Sequence, residues 1–322
     1  MTTRHLVDPE LAALLDQIPA TVLTDEILGQ IRAMRPQATA DVPRFAALSV
    51  SERFIPGPEG APDVRVLAYL PTSVQEAVPA LLWLHGGGYI MGSADAEDLT
   101  VKNIASTLGC AAVSVDYRLA PETPYPGPVE DCYAALKWLS THADELGIDP
   151  KRIAVGGSSA GGGLAAALAL LTRDRGEIPL AFQFLLAPMI DDRTCTLANP
   201  HPYTGEFIWT PEANRFGWTA LLGQEPGGAD VSPYAAVARA EQLEGLPATF
   251  LYVGALDLFL EEDLEYARRL MRAGVPTELH VYPGAYHGFR MVADAWITQT
   301  AERDLLAALK RAFDPAPHPK VF

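Results

Sequence analysis

The sequence predicts an α/β protein built on a mostly parallel central sheet with helices on both faces. Two observations support this prediction: short apolar runs recur along most of the chain, and helical patterns separate them. Such alternation is typical of βαβ units, whose strands are buried on both faces and therefore read as continuous apolar segments. The predicted strands are residues 65–70, 80–84, 111–117, 153–157, 182–189, 248–255 and 278–282.

The predicted helices lie before, between and after these runs. In the first of them, residues 5–35, leucines and an isoleucine recur at spacings of three and four, which is the period of a helix face. The other predicted helices are a stretch that ends at Leu108 and residues 130–147, 160–176, 264–274 and 301–313.

Residues 191–230 interrupt this alternation with four prolines and several aromatic side chains. An insertion of this length is uncommon as a simple connection and is often a lid or a binding loop. We therefore expect residues 46–190 and 231–322 to form the main α/β domain, and residues 1–45 and 191–230 to form a cap region. The alternative is that the aromatic side chains of the insertion only pack a small core of their own.

The composition excludes several classes of partner. The 322 residues carry a formal net charge of -16, which disfavours nucleic acid and anionic membranes as partners. Three widely spaced cysteines support neither a disulfide framework nor a zinc knuckle. The first twenty residues lack the uninterrupted apolar stretch of a signal peptide, so we expect a cytoplasmic protein without stable membrane anchoring.

One predicted strand ends in G-S-S-A-G, residues 157–161, and a helix rich in small residues follows at once. This is the G-x-S-x-G spacing of a nucleophile elbow, in which a serine lies at the apex of a strained strand-to-helix turn. Glycines two residues to either side let neighbouring chains pass closely. Only Ser159 has glycine at both positions, so we predict Ser159 rather than Ser158 as the nucleophile. A purely structural turn is the alternative.

The string H-G-G-G-Y directly follows another predicted strand. Glycines at a strand end let main-chain N–H groups approach a substrate oxygen, and such donors stabilise the oxyanion of a tetrahedral intermediate. The predicted donors are Gly87 and Gly88, with Ala160 as a third. His85 and Gly86 belong to the same motif, and we expect His85 to hold the loop by a hydrogen bond rather than to act as a catalytic base.

A nucleophilic serine needs a general base, and His287 is the predicted one. It lies in a loop just beyond the strand at 278–282, where a parallel sheet places its reacting groups. The chain order serine, acid, histidine is also the usual one for a nucleophile elbow. By contrast, His280 lies inside a strand pattern and His142 at the surface end of a helix.

The acid that orients this histidine should also follow a strand, and Asp257 does so directly. Asp191 and Asp192 end another strand and are the main rivals. For Glu261, Glu262 and Asp263, one turn or more further on, the alternative role is to complement the dipole at a helix N-terminus.

Taken together, these motifs resemble the hormone-sensitive-lipase-type branch of the α/β-hydrolases, the bacterial family IV carboxylesterases. The resemblance spans residues 65 to 290, and its motifs follow the family's order. They are H85GGGY, D116YRLAPE with P126xxxED, G157SSAG, S232PYAA, G254ALD and Y282PGAYHGF.

The resemblance implies hydrolysis of short- to medium-chain acyl esters without a cofactor or metal, a cap over the sheet, and a possible homodimer. It assigns Ser159, Asp257 and His287 to a catalytic triad, and Gly87, Gly88 and Ala160 to an oxyanion hole. The side chains expected to line the substrate pocket are Tyr89, Ser158, Phe207, Trp209 and Trp218.

Two residues depart from the family pattern. Ser158 replaces an Asp or Thr, and Leu258 replaces a proline that often follows the acid. Neither departure removes a reacting group. Two other functions stay open: an amidase, arylformamidase or peptidase with the same triad, and a non-catalytic ligand receptor on the same fold. The receptor function predicts a lost base, whereas this chain has His287.

Overall fold

One eight-stranded sheet organises the residues that the computed structural model describes, which are 2–18, 22–34, 43–73 and 76–314. The spatial order of the strands is β1-β2-β4-β3-β5-β6-β7-β8. The strands are β1 (Leu48–Ile55), β2 (Val64–Pro71), β3 (Val78–Leu84), β4 (Ala111–Asp116), β5 (Ile148–Ser158), β6 (Phe182–Leu186), β7 (Ala248–Gly254) and β8 (Thr277–Tyr282).

The sheet is mostly parallel, as predicted. Only β2 runs antiparallel to its neighbours, β1 and β4. All other pairs, from β4–β3 to β7–β8, are parallel. The carboxyl ends of β3 and of β5 to β8 therefore meet at one edge, which is where an open α/β sheet gathers its functional loops.

The helices of the described residues connect and flank these strands. Where the sequence predicts one helix over 130–147, the chain forms two, which meet at His142. Part of the predicted helix at 5–35 lies outside the described residues, and the rest forms two short helices. The helices are α1 (Pro9–Leu15), α2 (Asp25–Ala33), α3 (Asp98–Leu108), α4 (Gly127–Thr141), α5 (Ala143–Leu146), α6 (Ala160–Arg175), α7 (Pro211–Leu222), α8 (Leu260–Arg272) and α9 (Trp296–Phe313).

Apolar side chains cover both faces of the sheet. Successive residues of a strand point to opposite faces, so Leu82 and Leu84 of β3 join one core cluster while Leu81 and Trp83 join the other. All four are fully buried. The two clusters bury the carboxyl-terminal halves of β3 and β5, and so the packed core extends up to the loops at the sheet edge.

The N-terminal helices contact two of those loops. The Arg32 guanidinium of α2 donates from Nε to the carbonyl of Ile90, 2.6 Å away, in the loop after β3. The Asp8 N–H, just before α1, donates to the carbonyl of Gly284 after β8 at 3.1 Å.

In the described part of the chain, none of the helices has the length and apolar character needed to cross a bilayer.

Candidate active site

Ser159 lies at the sharp turn between the end of β5 and the start of α6. Its backbone has φ of 54° and ψ of -120°, a strained conformation for a residue with a side chain. The turn is held because the Ser159 N–H donates to the carbonyl of Leu186 at 2.8 Å, while its carbonyl accepts from Gly163 at 2.9 Å. This turn conformation places the Ser159 hydroxyl beyond the end of the strand, at the edge of the sheet.

The two glycines that flank the turn are required by the end of β3. A Cβ atom on Gly157 would lie 2.4 Å from the carbonyl oxygen of Leu84, and one on Gly161 would lie 2.0 Å from the same oxygen. Neither distance is compatible with a side chain. The sequence pattern G-x-S-x-G thus reflects a real close approach of three chain segments.

The His287 ring joins Ser159 to Asp257. Its Nε2 lies 3.0 Å from the Ser159 Oγ, and its Nδ1 lies 2.8 Å from the Asp257 Oδ2. The other carboxylate oxygen of Asp257 accepts the Phe259 N–H at 3.0 Å, which fixes the plane of the carboxylate. With Asp257 1% exposed and His287 8% exposed, these bonds are shielded from water.

The glycine loop after β3 turns its backbone towards the same point. Gly87 has φ of 120° and Gly88 has φ of 60°, conformations that favour glycine. Within the described part of the chain, no acceptor is bonded to the N–H of Gly87 or of Gly88. Ala160 is the first residue of α6, so its N–H has no partner inside the helix. The loop and the helix start thus offer open donors.

His85 contacts the backbone of this loop and a neighbouring aromatic ring. Its Nδ1 lies 2.8 Å from the carbonyl oxygen of Gly86, and its ring stacks on Tyr117 with 4.1 Å between the ring centroids. The Tyr117 hydroxyl in turn donates to the carbonyl of His85 at 2.7 Å. The imidazole is buried among these contacts.

The other carboxyl groups considered for the role of the acid interact with residues other than His287. Asp192 forms a buried ion pair with Arg239, at 2.6 Å, and Asp191 pairs with Arg193 at 2.7 Å. Glu262 accepts the N–H of Ile190 at 2.8 Å, and its burial raises the pKa of its carboxyl well above the usual range. Among the acids considered, Asp257 is the one bonded to His287.

Asp263 is a buried carboxyl that sequence reasoning assigns only to the helix dipole. It has no exposed surface, and neither carboxyl oxygen has a hydrogen-bond partner among the described residues. Burial, together with the nearby charges of Glu262 and Asp257, raises the pKa of the Asp263 carboxyl well above its usual range. This buried carboxyl lies in the helix that follows Asp257. No sequence signal marks a carboxyl as buried at this point of a helix.

Trp209, a predicted pocket residue, lies directly at the site. A Cβ atom on Gly88 would lie 2.1 Å from the tip of the indole ring. The centre of this ring is 6.4 Å from that of His287. Its Nε1 donates to the Oδ1 of Asn214 in α7 at 3.1 Å. The backbone turns at Ile208, which has φ of 63°, as the Trp209 N–H donates to the carbonyl two residues back.

The other predicted pocket residues lie at different depths. Tyr89 and Trp218 are fully buried and pack on each other, with ring centroids 5.2 Å apart, while the Tyr89 hydroxyl donates to the carbonyl of Met189. Phe207 is half-buried and packs edge-on against Tyr286. The hydroxyl of Ser158 donates to the Oε1 of Glu97 at 3.0 Å. Their roles in substrate binding stay predictions.

A pair of hydrogen bonds between the N-terminus and the insertion, here called the clasp, is a second feature that the sequence does not predict. The Thr3 hydroxyl donates to the Oε2 of Glu206 at 2.6 Å, and the Thr2 hydroxyl donates to its Oε1 at 2.5 Å. Glu206 is three residues before Trp209, so the clasp anchors the loop that carries the indole ring.

Known proteins are similar to this chain in sequence and in fold. A model of the alpha/beta hydrolase fold family matches residues 81–291. Carboxylesterase NlhH of Mycobacterium tuberculosis is 36% identical over 315 residues, which cover 95% of this chain and 96% of that protein. Among solved structures, a bacterial heroin esterase is 43% identical, with a TM-score of 0.89, and the match covers 97% of this chain and 100% of that one.

A further solved structure, the esterase LipW from Mycobacterium marinum, is 34% identical with a TM-score of 0.82 and covers 97% of this chain and 98% of that one. The fold and the site define an enzyme of the α/β-hydrolase class. Within that class the chain belongs to the hormone-sensitive-lipase-type family, the bacterial family IV carboxylesterases, which confirms the predicted resemblance.

Proposed function

We propose that this chain is a serine carboxylesterase that hydrolyses short- to medium-chain acyl esters through an acyl-enzyme on Ser159. Membership in its family makes the chain a carboxylic ester hydrolase. The observation that best supports the serine mechanism is the pair of hydrogen bonds made by His287, at 3.0 Å to Ser159 and at 2.8 Å to Asp257. Such a relay is the arrangement that turns a hydroxyl into a nucleophile.

The first half of the reaction acylates the enzyme. The His287 Nδ1–H donates to Asp257, which leaves Nε2 as the acceptor for the Ser159 proton. As that proton moves, Oγ attacks the ester carbonyl carbon and a tetrahedral oxyanion forms. The imidazolium, stabilised by the Asp257 carboxylate, then gives its proton to the leaving alcohol. The alcohol departs and the acyl group stays on Ser159.

The second half repeats these steps with water. His287 takes a proton from a water molecule, whose oxygen attacks the acyl carbonyl, and then returns the proton to Oγ as the carboxylic acid leaves. In both halves we assign the oxyanion to the N–H groups of Gly87, Gly88 and Ala160. The support is the open donors of the glycine loop, since each preorganised donor is worth about 3 kcal/mol of transition-state stabilisation.

The proposed cap consists of residues 1–45 and 191–230, so far as they are described. Contacts of Arg32 and Asp8 with the loops after β3 and β8, and of Trp209 with Gly88, support it. A cap with an indole ring over the glycine loop leaves limited space for the acyl group, which favours short chains. A homodimer stays a further prediction, to be tested by light scattering on the full chain.

The test compares matched substrates on the wild type and on Ser159→Ala. We expect p-nitrophenyl esters from acetate to octanoate to be hydrolysed, p-nitroanilides of the same acyl groups to react far more slowly, and Ser159→Ala to lose all turnover while its Tm stays nearly unchanged. Faster anilide than ester hydrolysis would favour the amidase alternative. An optimum beyond decanoate would contradict the short-chain proposal, and full activity in Ser159→Ala would contradict the mechanism.

A further inference from the structure

The chain segment that leaves the glycine loop forms a firmly anchored 3-10 helix, Ala94–Glu97. The Ser93 hydroxyl caps it by accepting the N–H of Ala96 at 3.3 Å. Asp95 within it pairs with Arg65 of β2 at 2.7 Å. Because Ser93 caps this helix and Asp95 joins it to β2, the backbone of its last residue, Glu97, is held in place beside the sheet.

Glu97 reaches the residue that precedes the nucleophile. The Ser158 Oγ donates to the Glu97 Oε1 at 3.0 Å. The same Oγ also lies against the glycine loop, because a Cβ atom on Gly86 would be 3.0 Å from it. Ser158 therefore stands between the elbow and the loop, and Glu97 holds its hydroxyl in that position.

A third element, the loop that carries His287, holds a largely buried cation. Arg290 lies three residues after His287, and its side chain is only 19% exposed. Burial lowers the pKa of its guanidinium, but the nearby Tyr252, Glu97 and Glu302 outweigh this and raise it. The nearest carboxylate oxygen of Glu302 lies 3.6 Å from the guanidinium, within ion-pair distance, and Glu97 adds a second acidic group to its electrostatic surroundings.

We propose that Glu97 is a positioning residue, which holds the Ser158 hydroxyl between the elbow and the glycine loop and so keeps the Ser159 oxygen aligned with the imidazole. The proposal rests on the serine mechanism proposed above. The carboxylate acts on the reaction only through Ser158. It also explains how the chain uses Ser158, where the family pattern has an Asp or Thr: the acidic group is supplied by Glu97 instead.

The expected effect on kcat follows from how far the reacting atoms are displaced. A misplacement of about 1 Å at a reacting atom can cost a hundredfold in rate, so loss of the Glu97 contact should lower kcat by about tenfold to a hundredfold. KM should stay within about twofold, because the side chain acts behind the elbow and uniform binding is unchanged.

The experiment is a double-mutant cycle on a p-nitrophenyl ester. We expect Glu97→Ala and Ser158→Ala to lower kcat to a similar degree, and the double variant to be no slower than the slower single variant, because both changes break one interaction. Ser158→Thr keeps a hydroxyl and should keep most of kcat. Glu145→Ala, in the short helix α5 where this side chain is exposed, is the control and should match the wild type.

Three results would overturn the proposal: losses that multiply in the double variant, an effect on KM with kcat unchanged, or wild-type kcat in both single variants. Active sites are counted by titration with a p-nitrophenyl phosphonate, so that kcat refers to folded enzyme only. If Glu97→Ala does not fold, the contrast between Ser158→Ala and Ser158→Thr still decides. Absence of any esterase activity in the wild type would instead refute the proposed function itself.

Discussion

The indole ring of Trp209 occupies the space that a side chain at position 88 would need. The gap is so small that a Cβ atom on Gly88 would lie 2.1 Å from the ring tip. The glycine loop and the insertion therefore pack closely against each other. The centre of the Trp209 ring in this contact is 6.4 Å from that of His287. This relationship links the two parts of the chain that the sequence assigns to the main domain and to the cap.

The first prediction concerns Gly88→Ala. The new methyl group must displace Trp209 or the loop, and so misplace the N–H assigned to the oxyanion; we expect kcat to fall by about a hundredfold or more. The control is Gly109→Ala, since Gly109 has nearly the same φ, 61°, with no atom within 4 Å of the added Cβ. That variant should lose only about 1–2 kcal/mol of stability, with kcat unchanged. Equal kcat values for the two variants would contradict the assignment.

Asp257→Asn tests the acid. The amide is nearly isosteric with the carboxylate but cannot stabilise an imidazolium, and it favours the wrong tautomer of His287. We expect kcat to fall by about four orders of magnitude, with KM little changed. Steady-state kinetics on a p-nitrophenyl ester gives both parameters. Asp192→Asn changes the rival acid, and if it caused the larger loss of kcat, the assignment of Asp257 would be wrong.

Trp209→Leu tests the limit on acyl size. Removal of the ring opens space above the glycine loop, so we expect kcat/KM for octanoate relative to butyrate to rise about tenfold. Trp296→Leu is the control, because this indole is 67% exposed and lies on α9. The selectivity of the control should match that of the wild type. A Trp209→Leu variant that changes preference for the alcohol but not for the acyl group would contradict an acyl-side role.

Asp263→Asn tests the buried carboxyl through its pH dependence. Because the folded protein raises the pKa of Asp263, the unfolded chain releases a proton that the folded chain keeps. The contribution of Asp263 to the free energy of unfolding is therefore largest at low pH and is lost as pH rises towards the folded-state pKa. We expect the variant to lose this slope and to be more stable than the wild type at neutral pH.

Denaturant unfolding between pH 4 and pH 8, roughly the window above the ordinary pKa of an aspartate in an unfolded chain, measures this slope. Glu265→Gln on the same helix is the control with the opposite sign. Its partner Arg268 lowers the pKa of Glu265, so that variant should lose stability at neutral pH and none at low pH. A wild-type slope retained in Asp263→Asn would show that Asp263 is not the group responsible.

The sequence predicts the strands of the sheet centre well because they are buried on both faces. It does not predict strand β1, since the burial of this strand alternates irregularly at the edge of the sheet and only Ile55 is fully buried. The sequence also does not predict helix α7, because Pro211 resembles a loop signal. In the structure Thr210 caps this helix and Pro211 occupies its first turn, where proline is favourable.

The proposed reacting groups can be nominated from the sequence because each follows a strand end or a glycine motif. The contacts that support them cannot. Glu97 meets Ser158, and Thr3 meets Glu206, across long separations in the chain, and no local spacing encodes either pair. These pairs depend on how the loops fold over the sheet edge, which the periodicity of the strands does not reveal.

The most direct measurement of the central claim is covalent labelling of the nucleophile. An alkyl p-nitrophenyl phosphonate mimics the tetrahedral species and transfers its phosphonyl group to an activated serine, releasing p-nitrophenolate. We expect one adduct per chain, located on Ser159 by peptide mass spectrometry, and almost none in His287→Ala. An adduct on Ser158, or undiminished labelling of His287→Ala, would contradict the account.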